Sequence, residues 1–415
     1  MKVAVDTMFL RQTYEHTGTA VYLKNMLNEC LRICETNPLD MEFHGFIGPH
    51  DTWNNNGPVS PYWRVHQARI LGRKRIWSLG GMALRTASVR PDLVFLPTGQ
   101  HCVPASLAPV VTTILDAIPR RIPSLVGPGS TRLHMMTWLN AKLATKIITI
   151  SSWSKRDLIE VYGLSPADVE VTYLGYDKQQ YNEAPADVSA SAALLERLGI
   201  RRPFILHHGM VQLRKNVHRL IQAWDRFRDR HKEFDAQLVL AGPMGFGHEE
   251  ILNIRGASPN RDQIILTGPL PGTELATLLK SAFLCVIPSL YEGFCLPMVE
   301  AMACGVPTVA SNSSCIPEVS GGVLEYFDPL SVEQMAETMI RVFEDSELRK
   351  SLREGGLRRA AEFSWQRCAR ETLRVFAATV ARQGRTPVDH SLLIEKSRDE
   401  NNRPIRDTAE AKSKA

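Results

Sequence analysis

The residues in this sequence best suited to handling an anionic, sugar-like ligand are two carboxylates around a turn and a basic pair further upstream. Glu292 and Glu300 enclose Gly293-Phe294-Cys295-Leu296-Pro297-Met298-Val299, so seven residues separate the two acids. Pro297 suits the first position of a helix, because its missing N–H has no helical partner there. The free N–H groups at such a start, with the positive end of the helix dipole, favour a phosphate. Gly293 lets backbone approach a ligand with no side chain in the way. The spacing sets Glu300 about one turn into the helix, where a carboxylate can accept hydrogen bonds from both hydroxyls of a ribose. Glu292, on the turn itself, would face a sugar instead. A buried charge-assisted pair of this kind contributes about 1.5–3 kcal/mol. For Glu300 alone, a carboxylate that only complements the helix dipole is an equal reading.

The basic pair lies in His207-His208-Gly209-Met210-Val211-Gln212-Leu213-Arg214-Lys215-Asn216, which follows an apolar run at 203–206. A glycine turn leading into a helix, with a lysine able to reach forward, is a phosphate site. Lys215 is the candidate for binding a diphosphate and stabilising the charge of a leaving group, with Arg214 beside it; the alternative is a solvated basic helix start. His207 and His208 read as structural histidines at a strand end rather than metal ligands. Asp116, at the end of the run 110–114, either orients an acceptor hydroxyl or caps the turn before Pro119. Gly18 sits between the first strand and its helix, but a lone glycine is not a dinucleotide fingerprint, which needs three.

These residues need a frame, and the chain supplies alternating strands and helices. Short apolar runs at 2–5, 41–47, 93–96, 110–114 and 146–150 are separated by amphipathic stretches such as 20–33. A second series follows at 203–206, 237–241, 264–267, 283–287 and 306–310. Alternation of this kind predicts parallel sheets covered by helices. The stretch 178–200 reads as a linker and 385–415 as a polar, largely disordered tail. A chain of 415 residues has room for two or three domains. Its net charge of +5 gives no reason to expect a nucleic acid partner. The eight cysteines show no C-x-x-C or zinc spacing, which fits reduced thiols in a cytoplasmic protein. Residues 1–6 read as a first strand rather than a signal peptide, and no apolar stretch is long enough to span a membrane.

The string Glu292-Gly293-Phe294-Cys295-Leu296-Pro297, continued by Glu300-Ala301-Met302-Ala303 and Gly305-Val306-Pro307, closely resembles the acidic motif of the retaining glycosyltransferases of family 4. The resemblance runs from the first residue to about residue 380. It implies an α/β protein of GT-B type, with two Rossmann-like domains whose parallel sheets face an interdomain cleft. Residues 1–177 would form an acceptor-binding domain, and 201–364 a domain for the nucleotide-sugar donor. A helix at 365–384 would cross back to the first domain. The implied catalytic residues are Glu292, Lys215 and Asp116. The implied donor-binding residues are Gly18, Gly209, Arg214, Lys215, Leu270, Glu292, Gly293, Phe294, Cys295, Leu296 and Glu300, with Leu270 under the nucleotide base. The donor implied is GDP-mannose, with UDP- and dTDP-sugars open, and the acceptor is a saccharide or a lipid-linked saccharide. No metal and no further cofactor is implied, and the sequence contains no Asp-x-Asp. Three positions depart from the family pattern: Leu115 for a histidine, Met210 for an arginine and Cys295 for a glycine. A non-catalytic nucleotide-sugar-binding partner of another transferase would tolerate such changes, and it stands as the alternative to an enzyme.

Between residues 61 and 90 there are seven basic residues and no acid, interleaved with Trp63, Ile70, Leu71, Ile76, Trp77 and Leu79. This pattern suits either peripheral contact with an anionic membrane face or a solvated basic surface.

Overall fold

The computed structural model describes residues 1–7, 10, 18–37, 39–47, 60–67, 86, 88–99 and 108–382. The chain divides into two compact units. Among the described residues, the first holds those within 1–121, 129–175 and 364–382, and the second holds 122–128 and 176–363.

In the first unit the described elements include β1 (Lys2–Val5), α1 (Gly18–Thr36), β2 (Glu42–Ile47), β3 (Trp63–Gln67), β4 (Leu93–Leu96), β5 (Val110–Thr113), α2 (Ser130–Leu143), β6 (Lys146–Thr149), α3 (Ser152–Tyr162) and β7 (Val169–Val171), with a single helical turn at Ile118–Arg121. Their strands form one sheet in the order β3-β2-β1-β4-β5-β6-β7, and the assigned pairs are parallel. Strands β4, β5 and β6 are buried along their whole length, as a sheet covered on both faces requires. Ser151 caps α3 by accepting the Ser154 N–H.

The second unit contains α4 (Val188–Leu198), β8 (Phe204–His208), α5 (Val217–Arg230), β9 (Gln237–Ala241), α6 (His248–Ala257), β10 (Ile264–Gly268), α7 (Gly272–Ser281), β11 (Leu284–Ile287), α8 (Leu296–Ala303), β12 (Thr308–Ser311), α9 (Ile316–Ser320), β13 (Glu325–Phe327), α10 (Val332–Glu344) and α11 (Ser346–Ala361). Its sheet runs β10-β9-β8-β11-β12-β13, again parallel. Trp224 and Phe227 of α5 anchor a core against Met335 and Met339 of α10. A final helix, α12 (Trp365–Ala381), belongs to the first unit, where it packs on α1.

The second sheet fixes where a ligand can sit. Strand β8 has β9 on one side and β11 on the other, so the connections leaving β8 and β11 diverge and open a crevice at their carboxyl ends. The loop with Lys215 leaves β8, and the loop with Glu292 leaves β11.

Several expectations change. Residues 178–200 are not a bare linker. They carry α4, capped by the Asp187 side chain accepting the Ala190 N–H, and α4 packs on α7 with an Arg197–Glu274 ion pair at 2.7 Å. Strand β7 ends at Val171, and the chain after it passes close to the start of α12. A Cβ on Gly175 would lie 2.0 Å from the Trp365 nitrogen. Of the basic stretch 61–90, Arg69, Arg73, Lys74, Arg75 and Arg85 lie outside the described residues, as does the tail 385–415. Arg64 pairs with Glu42 at 2.9 Å. Among the described residues no helix is long and apolar enough to cross a membrane.

Candidate functional site

At the end of β11 the chain leaves the sheet, and its peptide groups need new partners while still buried. Residues 288–292 find them on two neighbouring segments, the loop after β8 and the end of β12 with the loop that follows it. The Asn216 amide donates to the Pro288 carbonyl at 3.0 Å, and Ser311 Oγ donates to the Ser289 carbonyl at 2.6 Å. The Leu290 N–H donates to the Arg214 carbonyl at 2.9 Å, and Ser313 Oγ donates to the Leu290 carbonyl at 2.6 Å. Arg214 Nη1 donates to the Tyr291 carbonyl at 2.7 Å, and the Glu292 N–H donates to Ser314 Oγ at 2.9 Å. The acidic turn is held peptide by peptide, so the Glu292 side chain projects from a rigid base.

That side chain meets the basic pair. Arg214 Nη1 lies 3.0 Å from Glu292 Oε2, and Lys215 Nζ lies 2.6 Å from Oε1. Both Lys215 and Glu292 are buried. Burial alone would raise the Glu292 carboxyl, but the Arg214 and Lys215 charges outweigh it and bring the group down to about 2. Two cations against one carboxylate leave the cluster one positive charge in excess, which suits a diphosphate. Lys215 closes a single turn of 3₁₀ helix, and Asn216 follows in the left-handed region at φ 60°. The fully buried Asn216 amide also donates to the Pro329 carbonyl at 2.7 Å, joining the loops after β8, β11 and β13.

Helix α8 starts at Leu296 with Pro297 in its first turn, as the sequence predicts. Cys295 precedes it at φ 69°, a conformation that glycine adopts freely and that costs an L-residue about 1–2 kcal/mol. This accounts for the glycine in the resembled motif, which meets a backbone requirement that Cys295 satisfies at a cost. His208 Nε2–H donates to the Pro297 carbonyl at 2.8 Å and lies 3.7 Å from Glu300 Oε2. His207 Nδ1–H donates to the Val286 carbonyl at 3.1 Å. Burial pulls His207 down to about 3 and His208 to about 4, so both are neutral at physiological pH. Glu300 moves the opposite way from Glu292, raised by burial to about 7. The two carboxylates of the motif, one on the turn and one in α8, are thus driven to different protonation behaviour.

Among the expected donor-binding residues, Gly209, Arg214, Lys215, Glu292, Gly293, Cys295, Leu296 and Glu300 all lie on the loops after β8 and β11 or on α8. Gly209 is at φ 128°, and a Cβ there would be 3.9 Å from Lys215 Nζ. The Phe294 side chain is turned into the core, edge-on to Phe363 at 5.3 Å. Leu270 is half-buried in the turn between β10 and α7, and exposed Gly18 opens α1 in the first unit. Asp116, also in the first unit, accepts the Ile118 N–H on Oδ1 at 3.0 Å, the geometry of a turn cap. Asn216 and the serines 311, 313 and 314 were not among the expected residues. Their signals in the sequence are the Asn directly after Arg-Lys and the Ser-Asn-Ser-Ser run at and after the end of β12.

Residues 195–359 match the family model described as glycosyl transferases group 1 and so form a domain of that kind. O-antigen chain mannosyltransferase B of Escherichia coli is 28% identical over 234 residues, 56% of this chain and 60% of that protein. MMP alpha-(1->4)-mannosyltransferase of Mycolicibacterium hassiacum is 32% identical over 246 residues, 58% of this chain and 56% of that protein. The chain therefore spans three fifths or less of the length of these relatives. Among solved structures, Anabaena HepE in complex with UDP and glucose superposes with a TM-score of 0.69 at 17% identity, covering 91% of this chain and all of that one. WaaG, a glycosyltransferase involved in lipopolysaccharide biosynthesis, gives 0.66 at 11% identity, covering 91% of this chain and 99% of its own. These likenesses establish the fold: two Rossmann-like units with parallel sheets, as in GT-B glycosyltransferases.

Proposed function

We propose that this chain is a retaining, metal-independent glycosyltransferase that moves a hexose from a nucleoside diphosphate to a saccharide or lipid-linked saccharide acceptor in surface polysaccharide assembly. The donor we favour is GDP-mannose, because two of the relatives above are named as mannosyltransferases. The observation that carries the reading is the Arg214–Glu292–Lys215 cluster at the crevice between β8 and β11. Lys215 and Arg214 would neutralise the donor diphosphate, together with the N–H groups opening α8. Glu292, ionised throughout the neutral range, would accept hydrogen bonds from sugar hydroxyls and cannot serve as a proton donor there. Glu300 would take the ribose. With both Glu292 oxygens occupied by cations, a free carboxylate nucleophile is absent from this cluster. The reading therefore favours front-face attack, with the donor phosphate accepting the acceptor's proton. Asp116 would orient the acceptor hydroxyl.

A thermal-shift screen of GDP, GDP-mannose, UDP and UDP-glucose tests this. At a hundredfold excess over Kd, a bound nucleotide adds about 2.7 kcal/mol, which a melting curve resolves. The guanine compounds are expected to stabilise most. A preference for the uridine compounds would reassign the donor, and no stabilisation by any of them would end the reading. The departures at Leu115, Met210 and Cys295 keep one competitor, a non-catalytic nucleotide-sugar binder. Transfer of labelled mannose to saccharide acceptors separates the two: Glu292→Ala abolishes transfer in an enzyme, whereas a binder transfers nothing to begin with.

A further inference from the structure

Helix α2 is built inside out. Its buried residues are Thr137, Asn140 and Ala141, two of them polar. Thr137 Oγ1 donates back to the Leu133 carbonyl at 2.9 Å, and the Asn140 amide reaches the Thr98 carbonyl at 3.4 Å. The large apolar residues face outward instead: Met135 is 63% exposed, Trp138 47%, Leu139 37% and Leu143 44%. At helical spacing these four lie on one face with exposed Arg132 and Lys142. Exposed apolar residues are ordinary when scattered, but a contiguous stripe on one helix is a contact surface.

The surrounding charge selects the occupant. From residue 117 to 156 the sequence has seven Lys and Arg and no Asp or Glu. Arg121 is taken by Asp157 and Glu160, and Lys146 by Glu170, while Arg120 stands exposed before α2 and Arg132 exposed in its first turn. An apolar stripe with a tryptophan, edged by basic residues and lacking acids, has the chemistry of a surface that lies in an anionic bilayer interface. We propose that α2 is a lipid-contacting helix, resting on an anionic membrane through Met135, Trp138, Leu139 and Leu143. This stands independently of which nucleotide sugar the second unit takes.

Co-sedimentation of the full chain with phosphatidylcholine vesicles, with and without phosphatidylglycerol, tests it. The unaltered chain is expected to bind the anionic vesicles, and more weakly at high salt. Trp138→Ser/Leu139→Ser should lower that affinity at least about tenfold. Arg120→Glu/Arg132→Glu should lower binding to anionic vesicles selectively. Val188→Ser/Leu330→Ser, which removes exposed apolar side chains elsewhere, should leave it intact. Circular dichroism melting of each variant checks that the fold survives. The proposal is overturned if the unaltered chain ignores anionic vesicles, or if Trp138→Ser/Leu139→Ser binds as well as the parent. A dimer that the same pair of substitutions dissolves would assign the stripe to a second copy, and would overturn it equally.

Discussion

Glu300→Gln should make the protein more stable above neutrality while weakening nucleotide binding. Glu300 is raised by burial from 4.5 to about 7 in the fold. Between those values the folded chain holds a proton that the unfolded chain has lost. Stability therefore falls as pH rises through that window; the cost is absent below about pH 4.5 and complete above about pH 7. At 1.36 kcal/mol per pH unit, the full cost is about 3 kcal/mol. Glutamine keeps the size of the side chain and cannot ionise. Guanidinium unfolding should place the variant level with the parent near pH 4.5 and up to about 3 kcal/mol above it near pH 8. The same variant should lose about 1.5–3 kcal/mol of nucleotide affinity if the carboxylate binds ribose, about 10- to 150-fold in Kd. A stability difference that does not change with pH, or a variant less stable than the parent near pH 8, would refute the reasoning. Such a residue trades stability of the empty protein for a ligand contact, a common arrangement at binding sites.

Other expectations follow from the same geometry. Glu292→Ala leaves the buried Lys215 charge without its partner and should cost about 3–5 kcal/mol in denaturant unfolding; Lys215→Met/Glu292→Ala should cost less than the Lys215→Met and Glu292→Ala losses added, as a double-mutant cycle will show. Because Glu292 is depressed to about 2, its pairing is fully stabilising above about pH 4.5 and is lost as pH falls through 2, so Glu292→Gln should flatten the acid limb of the parent's stability curve. Asn216→Ala removes both donors from the Pro288 and Pro329 carbonyls and should destabilise by about 2–4 kcal/mol, with a drop in nucleotide affinity measured by calorimetry. Cys295→Gly should stay within about 1 kcal/mol of the parent, whereas Cys295→Val, β-branched at positive φ, should cost about 2 kcal/mol or more in the same unfolding assay.

The alternation of strands and helices and the start of α8 were legible in the sequence, since apolar period and the place of Pro297 are local signals. The candidate residues around the β8–β11 crevice were legible too, through spacing and a family pattern. Their mutual pairing was not. Arg214 and Glu292 are 78 positions apart, and no local rule says that the cation intended for a phosphate is held by the acid intended for a sugar. The serines at and after the end of β12 were equally opaque, because a Ser-Asn-Ser-Ser run reads as an ordinary loop until the carbonyls it serves are known. Helix α2 defeats pattern reading for a physical reason. Large apolar residues are expected inside, yet Met135 and Trp138 are exposed while Thr137 and Asn140 are buried. Strands β3 and β13 are short edge strands with charged residues, and carry little of the apolar signal that marks the central ones.

The Glu292 bridge also bears on how a ligand would leave. A pocket of bare cations must recruit water or ions to fill the space when an anion departs, and that reorganisation slows exit. Here the carboxylate already sits between Arg214 and Lys215 on a backbone fixed at every peptide from 288 to 292. It acts as a tethered counter-ion that takes the charge back as a phosphate withdraws. On the proposed function, the spent nucleotide would meet a resident competitor at each turnover. The bridge would then set residence time as much as affinity, and removing it should make the product harder to release.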